Sequence, residues 1–368
     1  MVTQKTSDRK ADHIKICLDN KAQARDSTTG FEDIYFVHRA LPEIDKNKID
    51  MSTTVLGHTF SAPLMVGAMT GGTAEATKIN ATIAEAVEQL NLGMGIGSQR
   101  AALEDPNLKE SFLIARKKAP TAFLVANIGA VQLSYGYGLK EAIQAVKMIN
   151  ADALAIHLNS LQETTQPEGQ TNFKGVIGKI GEIARKLDKP VIVKETGAGL
   201  AAEEAKRLES EGVKAIDVAG SGGTSFAAVE YYRWAAQDNQ IQKRLGEAFW
   251  DWGIPTAASL AEVTQTVKIP VIASGGVRTG NDVAKALAFG ASLSSLSQPV
   301  LQAAIQGTEE TIKMLSLLIE ELKNVMFLVG AEKADDLSKT AAVVTGKTGE
   351  WLKIRGFNIE QYAKRGRC

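Results

Sequence analysis

A regular alternation constrains this chain more than any single residue does. Short apolar runs lie at Leu64–Ala68, Gly93–Ile96, Phe123–Ile128, Ala153–His157, Val191–Lys194, Ala215–Ala219, Val271–Ser274 and Leu293–Leu296. Each is long enough for a buried strand. Between them lie amphipathic stretches such as Lys78–Leu90, Leu139–Ile149, Val176–Leu187 and Glu203–Glu211, with apolar residues at helical spacing. Strands that alternate with helices form βαβ units and a parallel sheet. Eight such units point to a closed (β/α)8 TIM barrel rather than an open doubly wound sheet. No G-x-G-x-x-G opens a first unit, which argues against a Rossmann dinucleotide site.

Composition agrees with one large core. The chain has 368 residues, 44% of them hydrophobic, with 42 basic and 42 acidic side chains. The expectation is a single domain over residues 1–368. It has a polar N-terminal arm to about residue 50 and a long insertion between strands six and seven, at about 226–269. Balanced charge gives no footprint for a nucleic acid or a membrane surface. The two cysteines, Cys17 and Cys368, lie near opposite ends, so no disulfide framework is expected and a reducing cytoplasm fits. The first two dozen residues lack the apolar core of a signal peptide, and no run approaches the ~20 apolar residues of a membrane span. The insertion holds Tyr231, Tyr232, Trp234, Phe249, Trp250 and Trp252. These either wall an apolar pocket or pack against core or subunit. Ile312, Leu315, Ile319, Leu322 and Met326 predict a closing helix with one buried stripe.

The seventh unit carries the densest chemistry. Val271-Ile272-Ala273 runs into Gly275-Gly276, then Arg278 and Gly280, with Asn281 or Asp282 placed to cap a helix. A glycine turn between strand and helix lets backbone N–H groups approach a phosphate, and the helix dipole favours the anion. Arg278 can add a bidentate contact. Glycine pairs after strands also occur as bare turns, and spacing alone leaves both readings open.

Barrel chemistry sits where strands end. Just past the apolar runs stand Met69-Thr70-Gly71-Gly72, Gly97-Ser98-Gln99-Arg100, Asn127, His157-Leu158-Asn159, Lys194-Glu195 and Gly220 to Thr224. Lys194 closes the otherwise apolar strand VIVK. A buried lysine needs a partner, either a carboxylate or an anion in the site. Glu163 follows His157 and Asn159 closely. One carboxylate chelates weakly, which suits Mg2+ shared with substrate oxygens and water. No His/Cys cluster has zinc spacing.

The segments RKADHI, MTGG, GSQR, ANIGA, HLNSLQE, VKETGAG, GSGGTSF and SGGVRTG run from Arg9 to Arg278. Their order resembles the type 2 isopentenyl diphosphate isomerases. SGGVRTG alone is shared with other FMN-dependent barrels; H-x-N-x-x-Q-E and GSQR are specific to that family. The resemblance implies interconversion of isopentenyl and dimethylallyl diphosphate in isoprenoid biosynthesis. It also implies reduced FMN as the acid–base cofactor, with NADPH needed only as its reductant. It implies flavin contacts from Ala68, Met69, Thr70, Ser98, Asn127 and Lys194. Thr224, Gly275, Gly276, Val277 and Arg278 would take the FMN phosphate, with Leu296 and Ser297 on its other side. Arg9, Lys10, Ser98, Gln99, Arg100, His157, Asn159 and Gln162 would surround the diphosphate substrate. Glu163 would bind Mg2+, and His157, Gln162 and Lys194 would carry catalysis. Glu230 is a further candidate near the site. A homo-oligomer, tetramer or octamer, is implied as well. One segment departs from the family: Ser294-Ser295-Leu296-Ser297-Gln298-Pro299 stands where glycine and arginine are usual.

The principal alternative is an FMN-dependent 2-hydroxy-acid oxidase or dehydrogenase. Such enzymes carry a catalytic histidine after the sixth strand, where this chain reads AGSGGTSF. A nucleotide-processing barrel with a cysteine nucleophile fits less well, since neither cysteine lies at a strand end.

Overall fold

The computed structural model describes residues 6–19, 21–235 and 239–366; the side chains of residues 6–11 and 235 are outside this description. Eight parallel strands close into a barrel: β1 (Leu64–Val66), β2 (Gly93–Gly95), β3 (Phe123–Gly129), β4 (Ala153–His157), β5 (Val191–Lys194), β6 (Ala215–Asp217), β7 (Val271–Ala273) and β8 (Leu293–Leu296). Each follows its neighbour in chain order. The ring closes where Ser294 and Leu296 of β8 align with Leu64 and Val66 of β1. All eight apolar runs became strands of this one barrel.

Side chains alternate across each strand with a period of two. Met65, Phe123, Val125, Ala153, Ala155, Ile192, Ala215, Ile272 and Leu293 fill the barrel interior. Their neighbours Leu64, Val66, Leu124, Leu154, Ile156, Val191 and Val193 face the surrounding helices. The hairpin Thr53–Val55/His58–Phe60 caps the N-terminal mouth. There Phe60 packs against Phe123 with ring centroids 5.5 Å apart. The interior is therefore filled, and the main cavity among the described residues lies at the C-terminal mouth.

Several helices shape that mouth: α1 (Thr6–Leu18) in the arm, α2 (Ser160–Thr165) after β4, α3 (Phe226–Ala235) and α4 (Gln240–Ala248) after β6, and α5 (Gly280–Ala288) after β7. The segment between β6 and β7 holds a third helix, Thr256–Thr264. The arm is pinned to this insertion. Ala24 N–H donates to Gly223 O (2.8 Å) and Ser225 N–H to Ala22 O (2.8 Å). Ala22, Ala228, Val229 and Trp250 form a separate buried cluster, joined by Tyr231 and Tyr232. Trp250 Nε1–H donates to Gln23 O (2.9 Å). Of the two expectations for the insertion aromatics, packing therefore accounts for Tyr231, Tyr232 and Trp250, whereas Phe226 lines the mouth.

The closing helix, Thr308–Val329, buries Thr311, Leu315, Leu318, Leu322, Met326 and Val329. Its stripe is rotated slightly from the expected one, leaving Ile312 and Ile319 at the edge. Among the described residues no helix is long and apolar enough to cross a membrane.

Candidate active site

Extending each inward-facing row by one more step of two residues leads into the mouth. The rows reach Gly67, Gly97, Asn127, His157, Lys194, Asp217, Ser274 and Ser295, and every one of them lines a cavity of about 260 Å³. Apolar alternation along the strands thus hands over to polar groups at the level where the strands end.

One side of the cavity is a phosphate cradle. Gly275 and Gly276 have φ of +98° and +69°, a region that disfavours side chains. A Cβ on Gly276 would stand 2.4 Å from Thr29 Cγ2, and one on Gly223 would stand 2.5 Å from Gly276 N. The cradle is therefore built for bare backbone. α5 begins just beyond it. Thr279, rather than Asn281 or Asp282, is its N-cap, and Asp282 closes a capping box from the third helical position. The Asp282 carboxylate also takes the Arg278 N–H (3.1 Å). The Arg278 guanidinium donates to Gln23 Oε1 (2.8 Å) and to Val277 O (3.1 Å). Partial burial lowers its proton affinity. A half-buried cation held by neutral acceptors is a ready partner for an anion. Gln23 Nε2–H also donates to the Thr224 hydroxyl (3.1 Å), so the arm touches both flanks of the cradle.

The cavity floor carries a second set of groups. His157 Nδ1–H donates to Asn127 Oδ1 (2.8 Å). Lys194 Nζ donates to the Glu195 carbonyl and aligns with Asp217 in the β5–β6 ladder. Burial pushes the Asp217 carboxyl above its usual range, while the Lys194 charge, the Ser274 hydroxyl and the Ala219 N–H pull it back. Of the two partners considered for Lys194, the chain supplies a neighbouring carboxylate and also leaves the lysine facing the cavity.

Opposite the cradle, α2 presents Gln162 and Glu163, with Asn159 at its N-cap. The buried Glu163 carboxylate accepts from Asn159 Nδ2 (2.9 Å), Gln166 Nε2 (2.7 Å) and Gln170 N (2.6 Å). Thr70 Oγ1, Asn159 Oδ1 and Gln166 Oε1 are buried without a hydrogen-bond partner. Buried polar atoms normally find one, and all three residues line the cavity. The Asn159 and Gln166 amides turn their N–H groups to Glu163 and leave their oxygens unpartnered; oxygen is the ligand a hard cation prefers. No group of three or more His, Cys, Asp or Glu gathers there or elsewhere among the described residues. A cation would therefore be shared with substrate oxygens and water.

Residues 2–111 and 130–344 match the FMN-dependent dehydrogenase family. Nearly the whole chain aligns with isopentenyl-diphosphate delta-isomerases. It is 51% identical to that of Methanothermobacter thermautotrophicus over 359 residues, covering 98% of this chain and 99% of that one. The Pyrococcus furiosus enzyme is 50% identical over 365 residues, 97% of this chain and 91% of that one. The chain belongs to the isopentenyl-diphosphate delta-isomerase family. Solved structures share its fold at low identity. A mandelate oxidase has TM-score 0.63 and 19% identity, covering 92% of this chain and 98% of that one. A flavocytochrome b2 has TM-score 0.64 and 19% identity, covering 88% and 81%. The bare-backbone cradle fits the phosphate of the FMN that this dehydrogenase family uses.

Against the isomerase-family expectations, the cavity gathers Ala68, Met69, Thr70, Ser98, Arg100, Asn127, His157, Asn159, Gln162, Glu163 and Lys194. It also gathers Thr224, Gly275, Gly276, Val277, Arg278, Leu296 and Ser297. Gln99 departs from them. It is fully buried, its Nε2 donates to Ala145 O (2.9 Å), and its Oε1 accepts from Asn127 N (2.9 Å). Its amide is committed to bracing β3, so it serves the site through Asn127. Arg9 and Lys10 fall within α1, but their side chains lie outside the described residues. Glu230 lies behind the cavity wall, where it pairs with His13 (3.0 Å). The sequence reading missed Asp217, Ser274, Gln132, Gln166 and the arm residues His13, Ile14 and Cys17, which all line the cavity. For Asp217 and Ser274 the signal was present: each stands two residues beyond an inward apolar residue.

Proposed function

We propose that this protein interconverts isopentenyl and dimethylallyl diphosphate, moving a double bond with no net redox change. One observation carries the reading: a flavin-phosphate cradle and an oxygen-rich pocket at Glu163, with unpartnered Asn159 and Gln166 oxygens, open into the same cavity. A hydroxy-acid oxidase would need a histidine after β6, and Val218 to Ser225 contains none.

When bound, FMN reduced by NADPH supplies the acid–base group for the shift. The residues prepare the rest. Thr224, Gly275, Gly276, Val277 and Arg278 hold the phosphate, with Leu296 and Ser297 opposite. Hydroxyls at Ser295 and Ser297 stand in for the arginine usual there. Ala68, Met69, Thr70, Ser98 and Asn127 flank the ring and ribityl chain. The Lys194 ammonium, facing the cavity, would favour negative charge on the bound flavin. Glu163 would hold Mg2+ against the diphosphate, since Mg2+ takes one or two carboxylates and fills its octahedron with phosphate oxygens and water. His157, Asn159, Gln162, Ser98 and Arg100 fix the substrate, and fixed geometry lowers the barrier. Gln162 is an amide and orients rather than transfers a proton. Arg9 and Lys10 are assigned to the diphosphate, closing water out with the arm. We place the protein in the cytoplasm as a tetramer or octamer.

The test compares two assays on the purified FMN-loaded protein. With isopentenyl diphosphate, Mg2+ and a catalytic amount of NADPH, dimethylallyl product should exceed the NADPH oxidised. Lactate or mandelate should support no sustained oxygen uptake. The reverse pattern would establish the oxidase instead.

A further inference from the structure

A buried ion network lies behind the cavity wall. The Arg233 and Glu230 side chains are 1% and 0% exposed. Charges this deep are stable only when paired and hydrogen-bonded. Arg233 Nη1–H donates to Glu230 Oε2 (2.6 Å), and Nη2–H donates to Glu168 Oε1. The other Glu230 oxygen pairs with His13 Nε2 (3.0 Å). Arg233 shares α3 with Glu230, and the network ties that helix to two other parts of the fold. His13 is on α1 of the arm, Glu230 is on α3, and Glu168 is in the loop after α2. That loop is also tied to the cavity, because Gln170 N–H donates to the Glu163 carboxylate (2.6 Å).

We propose that Arg233 is a positioning residue that couples occupation of the Glu163 pocket to docking of the arm. Arg233 and Glu168 lie outside the cavity lining, whereas His13 and Glu163 are part of it. The guanidinium is a planar fork, so it can hold two carboxylates at fixed separation, which a lysine ammonium cannot do. The Glu163 carboxylate that would take the cation accepts from Gln166 Nε2 and Gln170 N, so loading it bears directly on the 166–170 loop. Glu168 then fixes Arg233, Arg233 fixes Glu230, and Glu230 offers a set acceptor to His13. The arm closes on a loaded pocket and loosens from an empty one. The inference rests on the proposed role of Glu163 in holding the cation and diphosphate.

The experiment uses the FMN-loaded full chain and two variants, Arg233→Lys and His13→Leu. The second changes the arm alone and keeps the test open if the first folds poorly. Trypsin cleavage after Arg9, Lys10 and Lys15 is followed by mass spectrometry, with and without Mg2+ and inorganic pyrophosphate. The expected result is cleavage slowed about tenfold by Mg2+ and pyrophosphate in the parent protein, a typical coupling between sites. Both variants should lose that protection. In Arg233→Lys the KM for isopentenyl diphosphate should rise while kcat and FMN affinity stay near the parent values; His13→Leu is read by cleavage alone. Protection that persists in either variant overturns the inference, and so does loss of FMN binding together with protection. Absence of isomerisation in the parent protein would instead remove the proposed activity. The cleavage assay would still report whether the pocket and the arm are coupled.

Discussion

Cys17 illustrates what a single residue gains from the fold. In the sequence it is a lone cysteine on a polar arm. In the structure it lines the cavity, and burial pushes its thiol from 9.0 to about 12. A raised acid keeps its proton, so its contribution to stability is present below 9.0 and declines as pH rises from there through about 12. With Mg2+ and pyrophosphate bound, iodoacetamide at pH 8 should leave Cys17 unmodified, and a Trp250→Ala variant that frees the arm should expose it; mass spectrometry reads both. Glu230 works with the opposite sign. Burial pushes its carboxyl up, but the bond and charge of His13, together with those of Arg233, outweigh it and hold it below 4.5. Its stabilisation is present above 4.5 and is lost as pH falls through the lowered value. Glu230→Gln should therefore lower the thermal midpoint at neutral pH, and the gap to the parent should shrink under acid. Removing one partner of a buried pair costs roughly 3–5 kcal/mol, so the neutral-pH drop should be several degrees in a melting curve.

At the scale of elements, strands were the legible part. The bounds of β4, β5 and β8 equal the apolar runs read from sequence, and the others differ by one or two residues. Buried parallel strands read as continuous apolar runs, which is why they stand out. The glycine turn before α5 was legible too, because its spacing carries a mechanism. Its cap was not, since Thr279, Asn281 and Asp282 are all competent and only backbone geometry selects Thr279. The arm was the least legible element. Its polar composition gives no sign that Gln23 reaches Arg278 and Thr224, because those contacts span some two hundred positions of sequence. Gly276→Ala tests the cradle directly. A side chain at φ +69° and 2.4 Å from Thr29 costs about 1–3 kcal/mol in backbone strain alone. FMN affinity, read by flavin fluorescence, should fall about tenfold or more, with the barrel's circular dichroism unchanged.

Across the whole molecule, the barrel's packing dictates where function is found. Phe60, Phe123 and the interior aliphatic residues fill the N-terminal half, and the cavity opens at the C-terminal mouth. The loops after β4, β6 and β7 supply the Glu163 pocket, the arm dock and the phosphate cradle. The oxidases share this barrel at 19% identity, so the fold does not choose between redox chemistry and isomerisation. At the mouth, this chain has no histidine in Val218 to Ser225 after β6, and it has His157, Asn159, Gln162 and Glu163 at and after the end of β4; the proposal rests the choice on them. The most direct measurement follows isopentenyl diphosphate by NMR in D2O under anaerobic conditions, with Mg2+ and flavin photoreduced once and no NADPH added. The account predicts deuterium-labelled dimethylallyl diphosphate in many-fold excess over flavin. No product, with the flavin visibly reduced and bound, would contradict it.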